Sequence, residues 1–186
     1  EFVANGTWHV PTLVVNQVAF LVDKEEVVRD PRIAYVMPEI RKRWDDYRRP
    51  IKVEDLAAGK LWAKRLVQLV GELHRAGVGL LAGTDTSDEP YLYAGFSLHD
   101  ELGLLVDAGL TPLEALQTAT LNVAKFLGKA ESMGTVESGK AADSVLLDAN
   151  PLEDIGNTRR IFAVVLRGRL LDRAKLDQVL EQAKSQ

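Results

Sequence analysis

The feature that most constrains the fold is a short apolar run that ends in a single carboxylate. Residues 77–82 are Gly-Val-Gly-Leu-Leu-Ala, and Gly83-Thr84-Asp85 follows. This length, the apolar composition and the glycines are typical of a buried strand between two helical patterns. In parallel α/β folds chemistry gathers beyond the carboxyl ends of strands, where Asp85 would lie. An Asp in this place can also do no more than cap the turn after the strand.

The rest of the chain predicts alternating helices and short strands. We expect a strand over 8–15, an amphipathic helix over 53–76, and a helix that opens near His99. A capping box at Thr111–Glu114 begins a further helix that ends at Gly128. Beyond Gly134 the predicted elements are a strand at 144–147, a pair of strands around Arg167-Gly168, and a terminal helix with Leu176, Val179, Leu180 and Ala183 on one face.

Composition excludes several classes of function. The net charge of −4 argues against a general nucleic-acid binder. The sequence contains no apolar run near the ~20 residues that a transmembrane helix needs, so we expect no membrane partner. The chain has no cysteine, which excludes disulfides and thiolate chemistry. The compartment is not fixed by these features, and the cytoplasm is favoured.

A charged, helix-prone segment at 23–49 interrupts the alternation and contains Pro31 and Pro38. Its basic cluster ends at Arg48 and Arg49, and interleaved acidic residues favour a solvated helix face. This segment follows a predicted strand, so it would lie at the carboxyl ends of the strands, where active sites occur in such folds. The alternative is therefore that Arg48 or Arg49 binds a substrate carboxylate.

Several blocks, in order, resemble the C-terminal part of the metal-dependent amidohydrolases, in the branch of imidazolonepropionase-like enzymes and related dipeptidases. Each block alone is weak evidence for this resemblance, whereas the ordered set of blocks is specific. The blocks are Gly6–Leu13, Ala82–Thr86, Leu98–Leu102, Ala108–Leu116, Thr118–Ala124, Gly134–Asp143, Leu147–Leu152 and Val164–Gly168.

The resemblance implies a role for Asp85. In this superfamily the Asp after the last barrel strand ligates a divalent metal, usually zinc, and takes a proton from the metal-bound water. A metal lowers the pKa of its bound water, and a nearby carboxylate can deprotonate that water. Asp85 is the matching position, so it is the predicted catalytic residue and the predicted metal ligand.

The chain departs from the family in its histidines. The family carries a His-x-His pair on the first barrel strand and further histidines on the fifth and sixth. This chain has only His9, His74 and His99, and none forms such a pair. A catalytic zinc typically has three protein ligands and a water. We therefore expect that most of the metal ligands lie outside this chain.

Length points the same way, since a closed (β/α)8 barrel typically takes about 250 residues and this chain has 186. The expected fold is α/β: the C-terminal part of a TIM-like barrel, then short strands of a sandwich-like tail and a C-terminal helix. The predicted boundaries are 1–130 for the partial barrel, 131–172 for the tail and 173–186 for the helix. The start without Met fits a truncated or processed chain.

The leading functional prediction is hydrolysis of an amide-like C–N bond, with a cyclic amide or dipeptide-like substrate. His99, at the start of a helix beyond Asp85, is the predicted substrate-binding residue. The alternative for His99 is a hydrogen bond to neighbouring backbone. We expect the missing N-terminal half of the barrel as a partner and a homo-oligomer. The alternative function is a catalytically silent binding or oligomerisation module.

Overall fold

The computed structural model describes residues 1–20, 29–47, 53–86 and 89–184, and it shows a mixed α/β architecture. Two short strands, β1 (Trp8–His9) and β2 (Gly79–Leu80), form a parallel pair in which Trp8 lies opposite Gly79 and His9 opposite Leu80. A parallel pair requires a long crossover connection. Here the segment between the strands supplies that crossover, as the sequence predicted.

The strand predicted at 8–15 is wrong beyond His9. Thr12 adopts a left-handed conformation with φ 46°, and Leu13–Ala19 forms helix α1. The apolar residues Leu13 and Val14, which suggested a strand, are buried on this helix instead. A left-handed residue cannot continue an extended strand, so the chain turns at Thr12 and leaves the sheet.

Helices make up about half of the described chain. The amphipathic helix predicted at 53–76 is confirmed, and the helix predicted to run from the capping box to Gly128 divides in two at Ala119-Thr120. The α-helices that follow α1 are α2 (Pro38–Tyr47), α3 (Val53–Arg75), α4 (Ser97–Asp107), α5 (Pro112–Thr118), α6 (Leu121–Phe126) and α7 (Arg173–Lys184), with 3₁₀ helices at Pro31–Tyr35 and Ile155–Arg159.

The division of that predicted helix has a local cause. Thr120 lies at φ −131° and ψ −90°, outside the helical region, and its hydroxyl donates to the carbonyl of Leu116. The capping box is confirmed, because Thr111 and Glu114 satisfy each other's backbone N–H groups. Phe126 and Leu127, near the end of the predicted helix, are exposed.

The tail is an antiparallel three-stranded sheet of β3 (Ser144–Leu147), β4 (Ile161–Leu166) and β5 (Arg169–Leu171) in that order. These strands and the hairpin at Arg167-Gly168 confirm the elements predicted from sequence. Asp143 accepts a hydrogen bond from the backbone N–H of Arg167, as a turn residue does. In the described part of the chain no helix is long and apolar enough to cross a membrane.

The main core lies between the parallel strands and the helices. Leu105 of α4 is fully buried there and belongs to a cluster that draws on β2, the four helices α1, α3, α4 and α5, and the 3₁₀ helix Ile155–Arg159. A second cluster joins Trp44 of α2 to Tyr91 and Tyr93. Trp44 therefore anchors the charged helix, whose Asp45 and Asp46 face solvent as predicted.

Helices α3 and α4 approach each other at Gly71. A Cβ atom built on Gly71 would lie 2.2 Å from the carbonyl oxygen of Ala108, which is backbone and cannot rotate away. Gly103, in the interior of α4, has no atom within 4 Å of the same position. The two glycines therefore differ in packing while both lie in helices.

This difference yields a paired prediction. Gly71→Ala is expected to destabilise the fold by about 1–3 kcal/mol, because the overpacked helices must separate. Gly103→Ala is expected to stabilise by up to about 1 kcal/mol, because alanine is the better helix former. Urea denaturation of both variants measures the two free energies of unfolding. Equal effects of the two substitutions would contradict the close contact at Ala108.

Candidate functional site

The two parallel strands end side by side, and the segments that follow them touch. A Cβ atom on Gly83 would lie 2.5 Å from Cγ1 of Val10 and 3.8 Å from Cγ2 of Thr12. A side chain at position 83 would require Val10 to move, so the glycine allows the chain after β2 to pass this close to the chain after β1. Asp85 follows two residues later and is exposed. The fold thus presents Asp85 beyond the carboxyl end of a parallel strand.

The backbone of Asp85 is unusual. Asp85 has φ 55°, in the left-handed region that residues other than glycine seldom adopt. The hydroxyl oxygens of Thr84 and Thr86 lie 2.7 Å apart and join the two residues on either side of it. Strained backbone conformations of this kind cluster at functional sites.

The side-chain carboxylate of Asp85 has no partner among the described residues. A capping Asp accepts a hydrogen bond from a backbone N–H about two residues on. Among residues 1–20, 29–47, 53–86 and 89–184, no hydrogen bond or ion pair engages the Asp85 side chain. The backbone N–H two residues on belongs to Ser87, which lies outside the described residues, so the turn-cap interpretation stays a prediction.

Glu101 is a buried polar residue whose role the sequence did not predict. Its side chain is fully buried on α4, and its two oxygens accept hydrogen bonds from the N–H groups of Leu13 (3.0 Å) and Val14 (2.8 Å). These donors are the unpaired N–H groups at the start of α1. Glu101 thereby fixes the start of the helix that follows β1. A signal existed, because Glu101 lies among leucines on the apolar side of its helix.

Burial raises the pKa of the Glu101 carboxyl to about 7, while the backbone N–H groups of Val14 and Leu13 oppose that rise. Burial disfavours the charged form because the carboxylate loses its contact with water. The two donors favour the charged form because both point at its oxygens. Glu101 is therefore a group whose protonation is coupled to folding near neutral pH.

The three histidines occupy different settings. His99 Nδ1 lies 3.0 Å from the hydroxyl of Thr158 in the tail, and His74 Nε2 lies 3.5 Å from a carboxylate oxygen of Glu114. His9 belongs to β1. Burial, reinforced by Arg159 and opposed by Asp100, lowers the pKa of His99. The hydrogen bond to Thr158 gives His99 a structural contact, and its predicted contact with substrate stays a prediction.

An ion-pair network lies beside His99. Arg32 binds Asp30 through two nitrogens and Asp100 through a third, and Arg159 binds the other oxygen of Asp100 at 2.6 Å. The Arg32 guanidinium also lies 4.6 Å from the centre of the Tyr93 ring. The network borders a cavity of about 380 Å³ between α1 and α4. It joins three parts of the chain that are distant in sequence.

The described residues do not by themselves fit a metal ion. Within the ranges given above, no three His, Cys, Asp or Glu side chains come together into a group that could hold one. Asp85 offers a single exposed carboxylate. Arg48 and Arg49, the alternative substrate contacts, lie outside the described residues.

Comparison with known proteins identifies the family of this chain. The model of the amidohydrolase family matches residues 25–171, and the chain belongs to this family. The resemblance drawn from the sequence blocks is thereby confirmed.

Individual relatives agree with the family assignment. The chain is 36% identical over 104 residues to ochratoxinase of Aspergillus niger, covering 50% of this chain and 20% of that protein. It is 31% identical over 106 residues to the probable imidazolonepropionase of Xenopus laevis, covering 54% of this chain and 24% of the relative. The structure of a bottromycin amidohydrolase covers 97% of this chain and 40% of its own, with a TM-score of 0.78 and 25% identity.

The chain thus spans about a quarter or less of these curated relatives and two fifths of that solved structure. Structural neighbours of the amidohydrolase class and the mixed α/β architecture support the coarse fold class predicted from sequence.

Glu101 generates a prediction about pH. The folded pKa lies above the ordinary value of 4.5, so the contribution of Glu101 to stability is fully present below pH 4.5 and falls as pH rises toward 7. The total loss is roughly 3 kcal/mol, at about 1.4 kcal/mol for each pKa unit. Urea denaturation of wild type and Glu101→Gln between pH 4 and 8 measures it.

The expected result is that wild type loses stability relative to Glu101→Gln across this range. The glutamine variant is the matched control, because its side chain has the same shape and does not titrate. A stability difference that stays constant from pH 4 to 8 would contradict the raised pKa of Glu101, because it requires the same pKa in the folded and unfolded states.

Proposed function

We propose that this chain is the C-terminal portion of a metal-dependent amidohydrolase and that Asp85 is its catalytic base. The main support for the proposal is the position and backbone conformation of Asp85. It is an exposed carboxylate in a left-handed conformation beyond the carboxyl end of a parallel strand. Family membership supplies the reaction class.

The chemistry assigned to Asp85 is proton transfer. The carboxylate accepts a proton from a water molecule as the water oxygen bonds to the carbonyl carbon of an amide. Asp85 then delivers that proton to the nitrogen as the C–N bond breaks. The products are a carboxylic acid and an amine, and the carboxylate is restored.

We further propose that Asp85 is one ligand of a divalent metal, most simply zinc, whose other ligands lie outside this chain. When bound, the metal supplies a water of lowered pKa and polarises the carbonyl group. The absence of a ligand cluster among the described residues supports a shared site, because a catalytic zinc typically needs three protein ligands.

The proposed organisation follows the predicted boundaries. Residues 1–130 are the last two strands of a (β/α)8 barrel with their helices, 131–172 the strands of the small tail domain, and 173–186 the terminal helix. The parallel pair of β1 and β2 supports the first assignment, and the antiparallel sheet of β3, β4 and β5 the second. The N-terminal part of the barrel is the main partner.

The substrate class is a small amide, either cyclic or dipeptide-like. The relative named imidazolonepropionase supports the cyclic form, and the likeness of the sequence blocks to the dipeptidase branch supports the other. His99 is proposed as a substrate contact only in the intact enzyme. His99→Ala would then raise KM more than it lowers kcat.

Substitution of Asp85 tests the proposal. In the enzyme that contains this chain, Asp85→Asn is expected to lower kcat about 100- to 10,000-fold, because the amide cannot accept a proton. Steady-state kinetics with imidazolonepropionate and a set of Xaa-Pro dipeptides measures the effect.

The matched control is Asp148→Asn. Asp148 is also exposed and also follows a strand, but it lies in the tail. We expect it to leave kcat within twofold of wild type. If Asp85→Asn kept more than a tenth of wild-type kcat, the role of Asp85 as base would be lost.

A further inference from the structure

The outer edge of β2, on the side away from β1, is held by a helix junction. The N–H of Leu81 donates to the carbonyl of His9, so Leu81 faces β1. Backbone groups alternate in direction along a strand, so the carbonyl of Leu80 and the N–H of Ala82 point the opposite way. Both groups form hydrogen bonds on that side, and their partners do not belong to a strand.

The junction between α5 and α6 supplies the partners. The amide nitrogen Nδ2 of Asn122 donates to the carbonyl of Leu80 at 3.0 Å. The N–H of Ala82 donates to the carbonyl of Thr118 at 3.0 Å. These bonds clamp the chain three and five residues before Asp85, at the point where β2 ends.

The clamp is itself anchored. Thr118 is buried and its hydroxyl donates to the carbonyl of Ala115. Behind α6, a Cβ atom on Gly134 would lie 2.6 Å from Cβ of Ala124 and 3.1 Å from Cα of Leu121, so this segment packs tightly on the helix. The junction therefore has little freedom to follow β2 if β2 moves.

We infer that Asn122 is a positioning residue for Asp85. The carbonyl of Leu80 lies in the core, where Leu80 is 3% exposed, and the Asn122 amide is its partner on the outer edge. Without this donor the buried carbonyl is left unsatisfied, which is costly in the interior. The end of β2 then shifts or loosens, and Asp85 moves with it. The catalytic consequence of this inference rests on the proposed function, whereas the positioning itself does not.

A spin label tests the positioning directly. The 186 residues contain no cysteine, so Asp85→Cys gives a single labelling site for a nitroxide. We compare its electron paramagnetic resonance line shape with Asn122 present, in Asn122→Leu and in Asn122→Asp. Both variants keep the shape of the side chain and remove the donor. Circular dichroism confirms that each variant is folded.

The matched control is Asn157→Leu. Asn157 makes the same kind of bond, from its side-chain amide to the carbonyl of Asn150 at 2.9 Å, but in the tail. We expect the label at position 85 to become more mobile in both Asn122 variants and to keep its line shape in Asn157→Leu. An unchanged line shape in folded Asn122→Leu and Asn122→Asp would overturn the inference.

Hydrogen exchange gives a second measurement that needs no variant. The inference requires that the Ala82 amide be protected from exchange with solvent in the unaltered protein. Exchange at the rate of an unprotected amide would overturn the clamp.

Kinetics separates the inference from the proposed function. In the enzyme, with the same amide probes, Asn122→Leu with Asp85 intact is expected to lower kcat about 10- to 100-fold with KM unchanged, because small displacements of a catalytic group have effects of this order. Unchanged kcat in Asn122→Leu, with Asp85→Asn inactive, would refute the positioning role. Unchanged kcat in Asp85→Asn, with a mobile label in the Asn122 variants, would refute the proposed function and leave the positioning intact.

Discussion

The parallel pairing of Trp8–His9 with Gly79–Leu80 brings the segments that follow β1 and β2 together. It covers only two residues on each strand, so it gains little stability from its own hydrogen bonds. Polar contacts from outside the pair hold both strand ends. Glu101 fixes the chain after β1, and Asn122 with Thr118 fixes the chain after β2. The geometry of the candidate site therefore depends on contacts from three helices, α4, α5 and α6, as well as on the two strands.

The same contacts explain which parts of the fold the sequence predicts. Elements set by local patterns are predicted well, such as the capping box at Thr111, the tail strands and the long helix α3. The strand predicted at 8–15 failed because Leu13 and Val14 are buried by α4, and an apolar run does not distinguish a short strand from a short buried helix. The division at Thr120 lies in the backbone conformation of that residue, which the apolar pattern of the helix does not reveal.

Some residues of the candidate site could likewise be predicted from the sequence, and others could not. The position of Asp85 after a strand could be predicted from its own neighbourhood, because a glycine-bounded apolar run ending in Asp is a local pattern, whereas its role rests on the family resemblance and stays a prediction. Glu101 could not be assigned, because its partners lie 88 and 87 residues earlier in the chain. Asn122 pairs with a carbonyl 42 residues away, and a backbone carbonyl has no signature in sequence. A charged residue on an apolar helix face is the one signal that would have singled out Glu101.

In the proposed enzyme this chain contributes a single carboxylate, Asp85, to a metal site whose other ligands lie outside it. Mass spectrometry of the zinc content of the 186-residue chain after exhaustive dialysis tests this claim. We expect well under one zinc per chain, because the described residues contain no three-residue ligand group. One tightly bound zinc per chain, lost in Asp85→Asn, would contradict the claim, since the chain would then hold a complete site of its own.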